Sequence, residues 1–437
     1  MTRRILARDR CMYILYDIIF LIIAVVYLPV YLFKGKFHRE FPARLGFLPK
    51  DLALNKPLWI HAVSVGEALA VRGLIDSLHK VYPDKRLVIT TVTSTGNKIV
   101  KGFARENDFV TYLPLDFSFI TRKVIEKINP SLVIIAETEL WPNLILNLSK
   151  KDIPVLLVNC RISDRSFRGY KIVRFLLKPV LDKISLFCVQ SGRDAERLMR
   201  LGVSEEKIRI TGNMKFDITD SSLSSREAGI FDAGLKQSLG ILPEERIFVA
   251  GSTHPGEEEI ILSAYKNLSS RFSGLKLLLA PRHPERASGV ERLVVKYGFQ
   301  PLRISCLGQA QASGINPVFI LDTIGQLQSF YRIADIVFVG GSLVKKGGHN
   351  ILEPAFFAKP IISGRHMFNF RDIADLFVNN DACVLVSNAR ELESAAANLL
   401  DNPAAGKELG VKAKELIAQN QEATLKNLEC IKKWLKN

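Results

Sequence analysis

Short apolar runs alternate with amphipathic stretches along most of the 437-residue chain. In the first half, Trp59-Ile60-His61-Ala62-Val63, Arg86–Thr91, Leu132–Ala136, Val155–Val158, Leu186–Val189 and Ile208–Thr211 predict strands. Helical patterns such as Ala68–Lys80 and Asp194–Leu201 lie between or after them. The apolar runs are continuous and do not alternate with polar residues, so they predict parallel strands covered on both faces, an α/β doubly wound class. A second set follows in Ile247–Ala250, Leu277–Ala280, Val318–Leu321, Ile336–Val339, Pro360–Ile362 and Cys383–Val386. Residues 217–245 are rich in Ser and poor in strand signal, and they predict the connection between halves. The expected domains are therefore 37–216 and 246–410, with helical sequence in 411–437.

The run Met12–Phe33 has another character. Its only charge is Asp17, and as a helix it would be roughly 33 Å long, close to the hydrocarbon thickness of a bilayer. Arg3, Arg4, Arg8 and Arg10 precede it; Lys34, Lys36 and Arg39 follow. No small-residue cleavage pattern comes after it, so residues 1–36 are expected to form an uncleaved membrane anchor. Asp17 and Pro29 weaken a spanning segment and leave open a buried core helix or a helix lying in the interface.

Charge adds a second asymmetry. Residues 1–210 hold 34 Lys and Arg against 20 Asp and Glu, whereas 211–437 hold 26 against 24. An anionic partner is thus expected for the first half alone. No zinc finger, basic zipper or RNP-type aromatic signature supports nucleic acid, which leaves an anionic membrane or lipid. The six cysteines are scattered without a C-x-x-C pair, in keeping with a reducing compartment. The seven His form no H-x-x-x-H pair and no D-x-D is present, so neither a metal site nor a cofactor is expected.

Candidate chemistry gathers at strand ends. After Ile336–Val339 comes Gly340-Gly341-Ser342-Leu343-Val344-Lys345-Lys346-Gly347-Gly348-His349-Asn350-Ile351-Leu352-Glu353. Two glycine pairs leading into a helix start can offer backbone N–H groups to a nucleotide phosphate, with Glu353 placed to accept from ribose hydroxyls. Pro281-Arg282 follows another strand, and Arg282 can grip phosphate oxygens bidentately. Ile324-Gly325-Gln326 follows a third and is expected near the base. In the first half, Ser64-Val65-Gly66-Glu67 is a turn and a helix start. Glu67 is either a partner of the helix dipole or a general base for an attacking sugar hydroxyl. Glu137 and Glu139 follow another strand, with Arg161 and Lys215 as cations for an acceptor or leaving phosphate. His61 is read as packed. Walker and G-x-G-x-x-G loops are absent, which removes the footing for an ATPase or a dinucleotide enzyme.

With these residues laid out, the chain resembles the Kdo (3-deoxy-D-manno-octulosonic acid) transferases of lipopolysaccharide synthesis almost end to end. The resemblance rests on His61–Glu67, Glu137–Leu144, Gly212–Asp217, Ala280–Arg286 and Gly347–Glu353. It implies a GT-B glycosyltransferase fold: two Rossmann-like domains facing a cleft, acceptor domain first and donor domain second, the last helix returning to the first. It implies inverting, metal-independent transfer of Kdo from CMP-Kdo to the 6′-hydroxyl of a lipid A precursor, at the cytoplasmic face of the bacterial inner membrane. It also implies Glu67 as base and one of Glu137 and Glu139 as a second essential acid. Pro281, Arg282, Ile324, Gly325, Gln326, Gly348, His349, Asn350, Ile351, Leu352 and Glu353 would form the CMP pocket. Ser64, Gly66, Arg161 and Lys215 would contact acceptor or phosphate. Gln326 departs from relatives that carry Glu there. Two alternatives stand beside this reading: another GT-B enzyme, such as a UDP-sugar transferase or epimerase, and a non-catalytic scaffold that binds anionic lipid.

Overall fold

The computed structural model describes residues 16–18, 20–22, 25–26, 41–217, 225–307 and 317–435. Two compact units emerge: Met1–Asp217 with Asn420–Asn437, and Ile218–Gln419. The first contains strands β1 (Leu58–His61), β2 (Leu87–Thr91), β3 (Phe109–Tyr112), β4 (Leu132–Ala136), β5 (Val155–Cys160), β6 (Leu186–Val189) and β7 (Ile208–Ile210). They form one sheet in the order β3-β2-β1-β4-β5-β6-β7, with every pair parallel.

Strand geometry explains why these runs are apolar throughout. Successive side chains point to opposite faces. Trp59, Val88, Val133 and Ile135 thus fill one layer, while Leu58, Ile60, Leu87, Ile89, Leu132 and Ile134 fill the other. The helix Ala423–Leu435 supplies Ala423, Leu428 and Ile431 to that second layer. The chain's last helix therefore packs on the first unit, against the helix Arg72–Val81 and β5.

The second unit contains β8 (Arg246–Thr253), β9 (Leu275–Pro281), β10 (Gln300–Arg303), β11 (Pro317–Ile320), β12 (Ile336–Val339), β13 (Ile361–Gly364) and β14 (Val384–Val386). Their order is β10-β11-β9-β8-β12-β13-β14, again all parallel. One expectation needs correction here. The stretch read as a connection, 217–245, carries the helix Ser225–Ser238, and from Ile218 onward it belongs to the second unit. Arg332 pairs with Asp232 of that helix at 2.7 Å.

The expected anchor, Met12–Phe33, lies largely outside the described residues. No helix among the described residues is long and apolar enough to cross a membrane.

In doubly wound sheets, ligands bind beyond the carboxyl ends of the strands where the order reverses. In the first sheet that point lies between β1 and β4, and in the second between β8 and β12.

Candidate active site

Glu67 and the pair Glu137/Glu139 leave the carboxyl ends of β1 and β4, the two strands that flank the first switch point. Ser64 caps the helix Val65–Ala70 with extended backbone, but its hydroxyl does not reach the helix N–H groups. Instead Ser64 Oγ donates to Glu67 Oε1 at 3.0 Å, and the Val63 N–H donates to Oε2 at 2.7 Å. The carboxylate is thereby held at the helix start with 9% of the residue exposed. Burial pushes its pKa up to about 7, with Glu137 adding to the rise and Val63, Ser64 and Lys215 opposing it. A carboxyl poised there can exchange a proton near neutral pH, as a general base requires.

Glu139 is likewise lifted to about 7, by burial first and then by the charges of Glu67 and Glu137. Glu137 adopts φ 56°, a left-handed conformation that turns the chain sharply at the end of β4. Its Oε1 lies 3.3 Å from Lys215 Nζ. Thr138 accepts the Arg161 N–H at 3.1 Å and donates to that residue's carbonyl, which brings the ribbon after β5 beside the acids. His61 is fully buried, with Nδ1 3.0 Å from Thr90 O and Oγ1. Burial depresses its pKa to about 3, so it stays neutral and packed.

Two further residues build this group without having stood out in the sequence. Asn159, fully buried at φ 52°, accepts the Met214 N–H at 3.0 Å and so fixes the turn that carries Lys215. Tyr170 lies close enough to Glu139 for that charge, after burial, to raise its phenol pKa. An Asn closing an apolar run was the available signal for the first; nothing in the sequence marked the second.

In the second unit the structure corrects the expected phosphate cradle. The first glycine pair does not present free N–H groups, because Glu257 of the same chain occupies the turn. Its fully buried carboxylate accepts from Gly341 N at 2.7 Å, and from Ser342 N, Leu343 N and His254 N at 2.9 Å each. A built-in anion satisfies these donors and would repel a phosphate at the same place. Glu258 is equally committed, to Thr253 Oγ1 at 2.8 Å and Arg286 at 2.9 Å.

Residues left for a ligand stand around that pinned turn. His254 and His349 stack with ring centroids 5.1 Å apart and their Nε2 atoms 2.9 Å apart. Burial lowers the pKa of both, that of His349 to about 4, and nearby cations including Arg282 add to the effect. Arg282 is exposed, yet its charge also acts on Glu353. Asn350 donates to Glu353 Oε1 at 3.2 Å and accepts from Leu352 N at 3.1 Å. Burial raises the Glu353 pKa. Gly348, at φ 73°, sits where a Cβ would run into Met367. Ile351 and Leu352 are fully buried, so their side chains support the turn rather than face a ligand. Pro281 ends β9 in the core, with Arg282 N donating to Thr253 O at 2.9 Å. Ile324, Gly325 and Gln326 form an exposed loop. It leads into the helix Leu327–Ile333, which packs on the helix Leu352–Phe356. Among the described residues, no cluster of His, Cys, Asp and Glu is arranged to hold a metal ion.

The family of 3-deoxy-D-manno-octulosonic-acid transferases (kdotransferases) matches residues 39–218, which carry the three acids and Lys215. A 3-deoxy-D-manno-octulosonic acid transferase of Haemophilus influenzae is 38% identical, over 86% of this chain and 87% of its own. The Rickettsia felis transferase of the same name is 34% identical over 89% and 82%. In fold, the chain is similar to a UDP-GlcNAc 2-epimerase from Neisseria meningitidis (TM-score 0.57, 12% identity, 88% of this chain and 100% of that one). A glycosyltransferase from Rickettsia africae gives a TM-score of 0.56 at 16% identity, over 88% and 100%. These two neighbours are of the GT-B kind, with two parallel-sheet α/β domains. The family match over residues 39–218 and identity along most of the chain lead to one conclusion: the protein belongs to the 3-deoxy-D-manno-octulosonic acid transferase family and is a glycosyltransferase.

Proposed function

We propose that the protein transfers Kdo from CMP-Kdo to the 6′-hydroxyl of a lipid A precursor, with inversion and without a metal ion, at the cytoplasmic face of the inner membrane. The observation that carries this reading is Glu67, a carboxyl held by two hydrogen bonds at the switch point of the first sheet and lifted to about 7. Glu67 takes the proton of the acceptor hydroxyl as that oxygen attacks the anomeric carbon of Kdo. The bond from this carbon to the phosphate oxygen breaks on the opposite face, and CMP leaves with the electron pair. Arg282 steadies the phosphate; Asn350 and Glu353 hold the nucleoside. The surplus of cations in residues 1–210 suits an acceptor that carries phosphates.

Mass spectrometry of the lipid after incubation with CMP-Kdo and acceptor tests the reading. The expected result is a mass gain of Kdo with stoichiometric CMP, and competition by CMP but not by UDP. Turnover of a UDP-sugar instead, or lipid binding without any product, rejects it.

A further inference from the structure

Two cysteines that are far apart in sequence meet inside the first unit. Cys188 lies in β6, is fully buried, and belongs to the core layer that the final helix completes. Cys430 lies in that helix, Ala423–Leu435, is half-buried, and packs against the same layer. Their thiols are close enough to share a hydrogen bond, with the Cys188 S–H donating to the Cys430 sulfur. A mid-chain strand and the last helix are thus joined through two sulfurs.

The surroundings make the two sulfurs unequal. Arg209 is the β7 residue paired with Cys188, and Lys433 lies one turn beyond Cys430. The hydrogen bond from Cys188 holds the Cys430 thiol below the usual thiol range; Lys433 and Arg209 add to this, against burial and the charge of Glu429. Cys188 is pushed the other way, first by the hydrogen bond it gives and then by burial. Cys160 and Cys383 are buried, and burial pushes both thiols up to about 12. Among the described residues, Cys430 is the cysteine that combines solvent access, two nearby cations and a second thiol in contact. A nucleophilic sulfur that solvent reaches, beside a thiol that solvent does not, is the arrangement of a peroxide-sensitive pair.

We propose that Cys430 and Cys188 form a peroxide-operated latch, in which a reversible disulfide ties the final helix to β6. The Cys430 thiolate attacks one oxygen of hydrogen peroxide. The O–O bond breaks, hydroxide leaves, and the sulfur is oxidised to a sulfenic acid while the peroxide is reduced. The Cys188 sulfur then attacks the Cys430 sulfur; the S–O bond breaks, and the departing hydroxide takes the Cys188 proton as water. A dithiol or glutathione restores both thiols by exchange. Without the bond, the helix is held by the packing of Ala423, Leu428 and Ile431 and by the Thr424 N–H donated to Asp217. With it, the core layer no longer opens by release of the tail, so the first unit resists local unfolding while peroxide is present.

The test uses the full-length protein near neutral pH, treated with a small excess of hydrogen peroxide. Peptide mass mapping without reductant is expected to show Cys188 linked to Cys430, and dithiothreitol to reverse the link. The melting transition should rise by about 5–10 °C on oxidation. Cys188→Ala should stop at the sulfenic acid, trapped on Cys430 by dimedone, with no rise in melting temperature. Cys430→Ser should give neither product; its site is half-buried, so this variant serves if Cys188→Ala fails to fold. Three results would each overturn the proposal: oxidation of Cys306 in preference to Cys430, a Cys430 that passes to sulfinic acid or to another chain without joining Cys188, and a disulfide that leaves the melting temperature unchanged. No substrate takes part, so the outcome is independent of the transfer reaction.

Discussion

Lys215 Nζ stands 3.3 Å from Glu137 Oε1 and so brings one cation into a group of three acids. Its charge lowers the Glu67 pKa, while Glu137 and burial raise it. Replacing Lys215 with Met removes the lowering influence. The acid limb of the kcat–pH profile should then move to higher pH: kcat falls most below pH 7 and recovers toward the wild type at pH 9. An unshifted limb would show that the acid governing the rate is not in this group.

Glu67→Gln should reduce kcat by about 10²–10⁴-fold while CMP binding persists. The same substitution carries a stability signature with a definite sign. Glu67 holds its proton more tightly folded, at about 7, than at the ordinary value of 4.5. Its contribution is fully present below pH 4.5, declines as pH rises toward 7, and is gone above. The Gln variant does not titrate, so it should melt higher than the wild type at pH 8, by on the order of 1–3 kcal/mol, and equally at pH 4. Melting curves across that range decide it.

Glu257→Ala leaves four backbone N–H groups, those of His254, Gly341, Ser342 and Leu343, without their acceptor. Each buried unsatisfied donor costs roughly 1–3 kcal/mol, so a loss of about 3 kcal/mol or more is expected, with CMP affinity falling in parallel. Faster amide exchange confined to 341–343 would locate the damage; unchanged exchange there would contradict the assigned role.

Two glycines should respond in opposite senses. A Cβ at Gly340 would lie 2.5 Å from the Ser252 carbonyl oxygen, a backbone atom that cannot swing aside, so Gly340→Ala should destabilise by about 1–3 kcal/mol. Gly102, in the helix Ser94–Phe103, has nothing within 4 Å of such a Cβ. Gly102→Ala should stabilise by about 0.5–1 kcal/mol, because the unfolded chain loses freedom. Differential scanning calorimetry checks both.

The α/β class and most strands were legible because a strand covered on both faces must be apolar at every position. The exceptions are instructive. Phe109–Tyr112 and Gln300–Arg303 were not expected as strands, and both are sheet edges, β3 partly exposed at Phe109 and Val110 and β10 along its whole length. An edge strand needs no continuous apolar run, and β10 even admits Pro301. The acids after β1 and β4 were legible because a strand end followed by polar residues and a helix start is a pattern in one dimension. The role of Glu257 was not. Three of its four partners lie 84 to 86 residues away, and a glycine pair looks the same whether its N–H groups await a ligand or already hold a carboxylate.

The final helix, Ala423–Leu435, fills a layer of the first unit with Ala423, Leu428 and Ile431. Chains generally begin to fold from the N-terminus as they leave the ribosome. Here the earlier-made unit cannot close its interior until Ala423–Leu435 has been made and released. The later-made unit, complete in sequence by Gln419, is under no such delay. Order of synthesis and order of completion are thus reversed, and loss of the C-terminal tail would injure the half of the protein that was made first.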